Sequence, residues 1–154
     1  MVPRTLVFIE KENEILLIKK KKKNSFGFGK LNGIGGHIEK GEEPFESAKR
    51  EILEETGLVI NTLDLVAIIF IEIGIDPGIL LFVFNTAYPG GKLVTSEEGG
   101  LIWKKRNSIR ASKNIVKDIP FLLTLCKDYK KGDPPIIGKY FYDENEELRI
   151  AMNP

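Results

Sequence analysis

At 154 residues the chain is long enough to bury a continuous core without disulfides or a structural metal, and its 42% apolar and 29% charged residues exclude a disordered composition. Lys and Arg outnumber Asp and Glu by 23 to 22, so the formal charge of +1 excludes an overall basic or acidic field as a guide to partners. The single cysteine, Cys126, excludes an internal disulfide or a cysteine-based metal cluster, and its place in Phe121-Leu122-Leu123-Thr124-Leu125-Cys126 marks it as a buried small hydrophobe.

In chain order, Met1-Val2-Pro3-Arg4 leads directly into an alternating apolar run, without the long apolar stretch of a secretion signal. No window approaches the roughly 20 apolar residues needed to cross a bilayer. A cytoplasmic protein folding as one domain over residues 1–154 is the expectation. Thr5 to Glu10 and Ile15 to Lys20, joined by Lys11-Glu12-Asn13-Glu14, read as a hairpin. Lys21 to Gly41 is basic and rich in glycine, and reads as a long loop with a short strand near Leu31 to Gly33. Gly33-Ile34-Gly35-Gly36 is a poor interior strand, but it permits close approach of backbone to a ligand.

A helix is predicted over Pro44 to Thr56. Pro44 suits the first helical position, Gly57 suits a left-handed terminus, and Phe45, Ala48 and Ile52 share one flank. Leu63 to Ile73 and Ile79 to Tyr88 follow as a strand pair around Gly74-Ile75-Asp76-Pro77-Gly78, then a strand over Leu101 to Lys104. A second helix is predicted within Ile115 to Tyr129, with Pro120 favouring a start near that residue. Lys139 to Tyr142 and Glu147 to Ala151 read as a late hairpin. Helices come too rarely for a regularly wound βαβ sheet, so a mixed sheet between two or so helices is expected, with no internal repeat.

The chemistry concentrates in Arg50-Glu51-Ile52-Leu53-Glu54-Glu55-Thr56-Gly57-Leu58. Glu51, Glu54 and Glu55 stand at i, i+3 and i+4, so three like charges share one helix face and repel. Divalent cations reverse that repulsion, because Mg2+ and Mn2+ take hard oxygen ligands and commonly bind carboxylates together with substrate phosphates. Arg50 is four residues before Glu54, within reach to orient it. Spacing alone leaves a charged, solvent-facing helix as the alternative. Neither a Gly-x-x-x-x-Gly-Lys-Ser/Thr phosphate loop nor a dinucleotide fingerprint is present.

Gly36, Glu42, Arg50, Glu51, Ile52, Glu54, Glu55, Gly57 and Leu58 match every specified position of the Nudix box, G-x5-E-x7-R-E-U-x-E-E-x-G-U, over 23 residues. The chain thereby resembles the Nudix hydrolase superfamily and its MutT-like subfamily. The resemblance implies a Nudix-type α/β/α sandwich with a mixed β-sheet, in the α/β class, and hydrolysis of a nucleoside diphosphate linked to another group. It implies Glu51, Glu54, Glu55 and the Gly36 carbonyl as ligands for Mg2+, with Mn2+ as a substitute, and Glu42 and Arg50 as braces, with metal binding through water as the alternative for Glu42. Glu55 is the leading base or bridging ligand. Glu98 is the best candidate for a later-loop base or ligand, Glu97 the second, against a solvated turn as the plain reading. His37 follows Gly36 and is assigned to phosphate contact or loop packing over catalysis.

Five lysines, Lys19 to Lys23, stand beside the expected entrance; such a run is usually solvated, yet it suits a polyphosphate. The stretch from Lys22 to Gly36 resembles the oxidised purine nucleoside triphosphate (8-oxo-dGTP) diphosphatases. On that resemblance Asn32 and Phe26 contact the base, and Lys22 and Lys23 approach the sugar or phosphates. Leu31 replaces that group's tryptophan. Its tryptophan and paired aspartates near the second helix have no counterpart around Ser112-Lys113-Asn114-Ile115, where Asn114 stands in for one acid. Trp103 reads as a core-packing residue at a strand end. The expected reaction is hydrolysis of a nucleoside triphosphate to monophosphate and pyrophosphate, on oxidised purine nucleotides above others. The alternatives are a nucleotide sugar, dinucleoside polyphosphate or capped RNA as substrate, or a non-catalytic nucleotide-binding module. The expected partner is the nucleotide, with no stable nucleic acid, no membrane, and a monomer or small homo-oligomer.

Overall fold

A computed structural model describes residues 1–20, 29–96 and 99–153. Its elements are β1 (Val2–Lys11), β2 (Glu14–Lys20), β3 (Leu31–Asn32), β4 (Ile34–His37), α1 (Pro44–Thr56), β5 (Asp64–Ile71), β6 (Ile79–Ala87), β7 (Gly99–Lys105), α2 (Arg106–Ile109), α3 (Ile119–Asp128), β8 (Ile136–Tyr142) and β9 (Leu148–Asn153). The strands form one mixed sheet in the order β3-β2-β1-β6-β5-β8-β9. β1 runs parallel to β6 and β5 parallel to β8, and the remaining pairs are antiparallel.

Period-two alternation divides the core by the sheet. Val7, Ile9, Leu16 and Ile18 pack with Ala48 and Ile52 of α1 on one face. Leu6, Phe8, Ile15 and Leu17 pack with Leu122, Leu123 and Cys126 of α3 on the other. Each fully buried side chain of this size contributes about 2 kcal/mol of burial free energy. The result is the expected α/β/α sandwich with a mixed sheet. Cys126 is buried and unpaired, and burial pushes its thiol up to about 12, as befits a packing residue.

β1 and β2 pair only at their hairpin end, through Glu10↔Ile15 and Lys11↔Glu14. Beyond that they diverge, and the chain returning from the glycine-rich loop enters the fork. β3 bonds β2 through Ile18↔Asn32 and Lys19↔Leu31, and β4 bonds β1 from Arg4↔His37 to Val7↔Ile34. Ile34 to His37 is thus a strand, against the reading of this stretch as poor strand material. Long-range pairing overrides its low propensity. Gly35 is needed there: with φ +154, a Cβ would lie 2.0 Å from the Thr5 carbonyl oxygen.

The second predicted helix begins at Ile119, because residues 114–116 are spent on stitching the fork: Leu31 N–H donates to the Asn114 carbonyl at 2.7 Å, and Val116 N–H to the Leu31 carbonyl at 2.9 Å. The short α2 was not foreseen, and β8 starts earlier than expected because Ile136 and Ile137 pair with Ala67 and Ile68. Trp103 packs at the edge of the α1-side core, edge-on to Tyr88 with ring centroids 5.3 Å apart. Among the described residues no helix is long and apolar enough to cross a membrane.

Candidate active site

α1 is fixed at both ends by local chemistry. The Glu43 carboxylate accepts from Phe45 N–H at 2.9 Å and Glu46 N–H at 2.7 Å, and the Glu46 side chain accepts from Glu43 N–H. Gly57, at φ 78, ends the helix and donates to the Leu53 carbonyl at 2.9 Å. With Ala48 and Ile52 in the core, Glu51 and Glu55 fall on the margin facing β4. Glu55 is 0% exposed and Glu51 7%, while the Glu54 side chain on the outer flank is half exposed.

Arg50 gathers the acidic groups. Its Nε and Nη2 donate to the two Glu42 oxygens at 2.7 and 3.0 Å, a bidentate clasp between helix and preceding loop. Nη1 reaches Glu51 at 3.0 Å and Glu54 at 3.2 Å, and Nη2 also donates to the His37 carbonyl at 3.1 Å. The Glu42 bonds push the guanidinium pKa up, and the same bonds hold the Glu42 carboxyl below its ordinary range. The exposed His37 takes part through its backbone carbonyl, while burial and then the Arg4 charge lower its imidazole pKa.

Glu55 is held differently. Lys20 Nζ lies 2.6 Å from one carboxylate oxygen, and Gly35 N–H donates to the other at 3.3 Å. Burial lowers the Arg4 pKa, and the charges of Glu51 and Glu55 partly restore it, so Arg4 adds a second positive group nearby. Among the described residues no three acidic side chains converge as they stand: Arg50 holds Glu51 and Glu54 together, while Lys20 holds Glu55 separately. The donor set still fits a hard divalent cation: buried carboxylates, already neutralised by cations, beside main chain that only glycine permits. A Cβ on Gly36 would lie 2.6 Å from Glu51 Oε1, so the main chain there abuts the carboxylate.

A pocket of about 190 Å³ adjoins this acidic face, with Lys20 and Gly35 lining it as well as touching Glu55. Its walls are Ile71, Ile75, Ile79, Leu81 and Val116; its polar groups are Arg4, Thr5, Asn32, Asp118 and Tyr140. Thr5 Oγ1 is buried without a hydrogen-bond partner. The Asn32 side-chain Oδ1 accepts from Gly33 N–H at 2.8 Å. The Tyr140 hydroxyl donates to Asp118, whose pKa is raised by burial against the opposing effect of that bond, and burial and the Asp118 charge raise Tyr140 as well.

Of the residues anticipated from the sequence, Gly36, Glu51, Glu54 and Arg50 come together, Glu55 is held separately by Lys20 and Gly35, and Asn32 lines the adjoining pocket. Lys22, Lys23, Phe26, Glu97 and Glu98 lie outside the described residues. Asn114 is exposed and engages the fork through its backbone. Lys20, Asp118 and Tyr140 were not singled out. The phase of β2 carried the signal for Lys20, since Leu16 and Ile18 face α1 and Lys20 is next in that alternation. Nothing local marks Asp118 or Tyr140, which meet only through the packing of β8 beside α3.

A mixed sheet forked to admit a glycine-rich strand thus sets the buried carboxylates of the flanking helix beside a pocket. The NUDIX domain family matches residues 2–113, and the chain belongs to the Nudix family of hydrolases, in its MutT-like branch. It is similar to the oxidized purine nucleoside triphosphate hydrolase of Mus musculus, 36% identical over 143 residues that cover 88% of this chain and 90% of the relative. The Danio rerio protein of the same name is 33% identical over 151 residues, covering 94% and 96%. Among solved structures, the MutT protein from Bacillus halodurans superposes with a TM-score of 0.73 at 25% identity, covering 100% of this chain and 99% of that one. The MutT protein from Methanosarcina mazei Go1 shares the fold at a TM-score of 0.72 and 23% identity, over 84% and 96%.

Proposed function

We propose that the protein hydrolyses nucleoside triphosphates to nucleoside monophosphate and pyrophosphate, with oxidised purine nucleotides such as 8-oxo-dGTP preferred. The observation that carries this reading is the junction of two regions: buried Glu51 and Glu55, with Glu54 beside them, next to a pocket that shares Lys20 and Gly35 with that acidic face. At about 190 Å³ the pocket is smaller than the 300–1,000 Å³ of a whole small-molecule site, and suits one ring system with the phosphates outside it. Its apolar walls suit the faces of a purine, and Asn32, Asp118 and Tyr140 suit the polar edge. The mouse and zebrafish relatives bear names that specify oxidised purine nucleotides, which favours the same class here.

Glu51, Glu54, Glu55 and the Gly36 carbonyl would hold Mg2+ or Mn2+. Such an ion supplies charge neutralisation at phosphate oxygens and lowers the pKa of a bound water. The protein's own part is positional. Arg50 fixes Glu51 and Glu54 against the Glu42 loop, Gly35 and Lys20 fix Glu55, and the pocket sets the nucleotide's reach. Water adds across the phosphoanhydride between the α and β phosphorus atoms: a P–O bond to the water oxygen forms as the bridging P–O bond breaks, and the products are the monophosphate and pyrophosphate. Glu55 is assigned the proton that the water loses.

A substrate panel tests the proposal. Released monophosphate and pyrophosphate are measured with Mg2+ and then Mn2+ on dGTP, 8-oxo-dGTP, dATP, dCTP, ADP-ribose and a dinucleoside polyphosphate. The highest kcat/KM is expected for 8-oxo-dGTP. A clear preference for ADP-ribose or the dinucleoside polyphosphate over every triphosphate would overturn it.

A further inference from the structure

We infer that Lys20 is a built-in counter-cation for Glu55, competing with the divalent ion and thereby setting how tightly the site takes metal. The inference rests on the metal-assisted reading above and adds to it a residue that opposes loading.

Glu55 has no exposed surface, and a carboxylate buried without compensation is strongly disfavoured. Lys20 Nζ at 2.6 Å supplies compensation, with only 15% of its own side chain exposed. An ion drawing on the same carboxylate meets this ammonium at the oxygen it needs, and two cations on one buried group repel. Loading therefore requires Lys20 to yield. Its attachment suits that: Lys20 is the last residue of β2 and lines the pocket as well as reaching Glu55, so the ammonium has a neighbouring cavity, with Asn32 and Asp118 in its lining, to turn into. Arg50 contrasts with it. Two bonds to Glu42 and one to the His37 carbonyl anchor that guanidinium apart from Glu51 and Glu54, so it stays in place when those carboxylates reorient. The site thus has a fixed cation that organises it and an exchangeable one that keeps Glu55 neutralised until metal arrives.

The test measures Mn2+ affinity by calorimetry on the full chain without nucleotide, together with the melting temperature before and after adding Mg2+. Lys20→Met is expected to tighten Mn2+ binding by about tenfold, within the range over which groups around metal ligands tune affinity. It should also lower the melting temperature of the metal-free protein and enlarge the rise on adding Mg2+. Lys20→Arg, retaining the charge, should stay near wild type in both. If Lys20→Met is too unstable to purify, Lys20→Gln gives the same comparison while keeping a hydrogen-bond donor for Glu55. Equal or weaker Mn2+ binding in the neutral variant, with binding still impaired by Glu55→Gln, overturns the role of Lys20 and leaves the metal reading standing. No Mn2+ binding to the wild type, with no hydrolysis in the substrate panel, overturns both.

Discussion

The two faces of the sheet are built in opposite ways. On the α1 side, cap residues, the left-handed glycine, the acids and the arginine that binds them fall within one stretch from Gly36 to Leu58, and they bond mainly to one another. On the α3 side the pocket draws on β1, β3, β6, β8 and the connections around Ile75 and Val116, and α3 has no side-chain cap. On the reaction proposed above, the contiguous device would act on whichever nucleotide is bound, and the pocket assembled from distant segments would set which nucleotide that is. Substitutions on the α1 side are therefore expected to lower rates by the same factor for every nucleotide, and those in the pocket to alter the ratios between nucleotides.

The largest effects should come from Glu54→Gln and Glu55→Gln, each lowering kcat by about a hundredfold or more through loss of metal-assisted chemistry. The factor should be equal for dGTP and 8-oxo-dGTP; near-normal rates in both variants would remove these residues from the chemistry. Arg50→Ala comes next. It strips Glu42, Glu51 and Glu54 of their shared partner, and a loss of about 2 kcal/mol in urea unfolding is expected alongside slower turnover. Arg50→Lys should recover little of either, since an ammonium cannot make the bidentate clasp to Glu42. Full recovery would mean that charge alone matters. In the pocket, Asn32→Ala should change the ratio of kcat/KM between 8-oxo-dGTP and dATP by about tenfold, the worth of one net hydrogen bond, with Mn2+ affinity intact. An unaltered ratio would take Asn32 out of base recognition.

The same asymmetry decides what could be read from the sequence. α1 was legible to its ends because Pro44 and Gly57 act on their own backbone, and Arg50 reached Glu54 because both lie on one helix. The layered architecture was legible from the scarcity of helices between the strands. β4 was not, because Gly35 and Gly36 have little strand propensity and acquire one only from β1 beside them. The pairing of Asp118 with Tyr140 spans 22 residues and two elements, and no spacing rule reaches that far. Lys20 was hidden in a run of like residues, where composition suggests solvent and only strand phase shows which lysine turns inward.

A smaller effect tests whether α1's cap is as local as it looks. Gly57→Ala places a side chain at φ 78, with its Cβ 3.1 Å from the Val94 side chain. A loss of about 1–2 kcal/mol is expected from the left-handed backbone. Thermal unfolding should show it while substrate ratios stay fixed; a shifted ratio would mean that the helix end communicates with the pocket.

The subtlest prediction contrasts two acids, one on each side. The Arg50 bonds hold the Glu42 carboxyl below its ordinary range, whereas burial pushes the Asp118 carboxyl above its ordinary 3.8. The native state thus binds the Asp118 proton more tightly than the unfolded chain does. The stability this group contributes is complete below the unfolded pKa and is lost as pH rises through the folded one. Asp118→Asn keeps an acceptor for the Tyr140 hydroxyl but has no proton to lose. Its stability relative to wild type should therefore improve as pH rises above the ordinary carboxylate range, in urea titrations where the other carboxylates cancel between the two proteins. A difference that is flat or falls with pH would show Asp118 to be held ionised, as Glu42 is, and the contrast between the two faces would not extend to their charge.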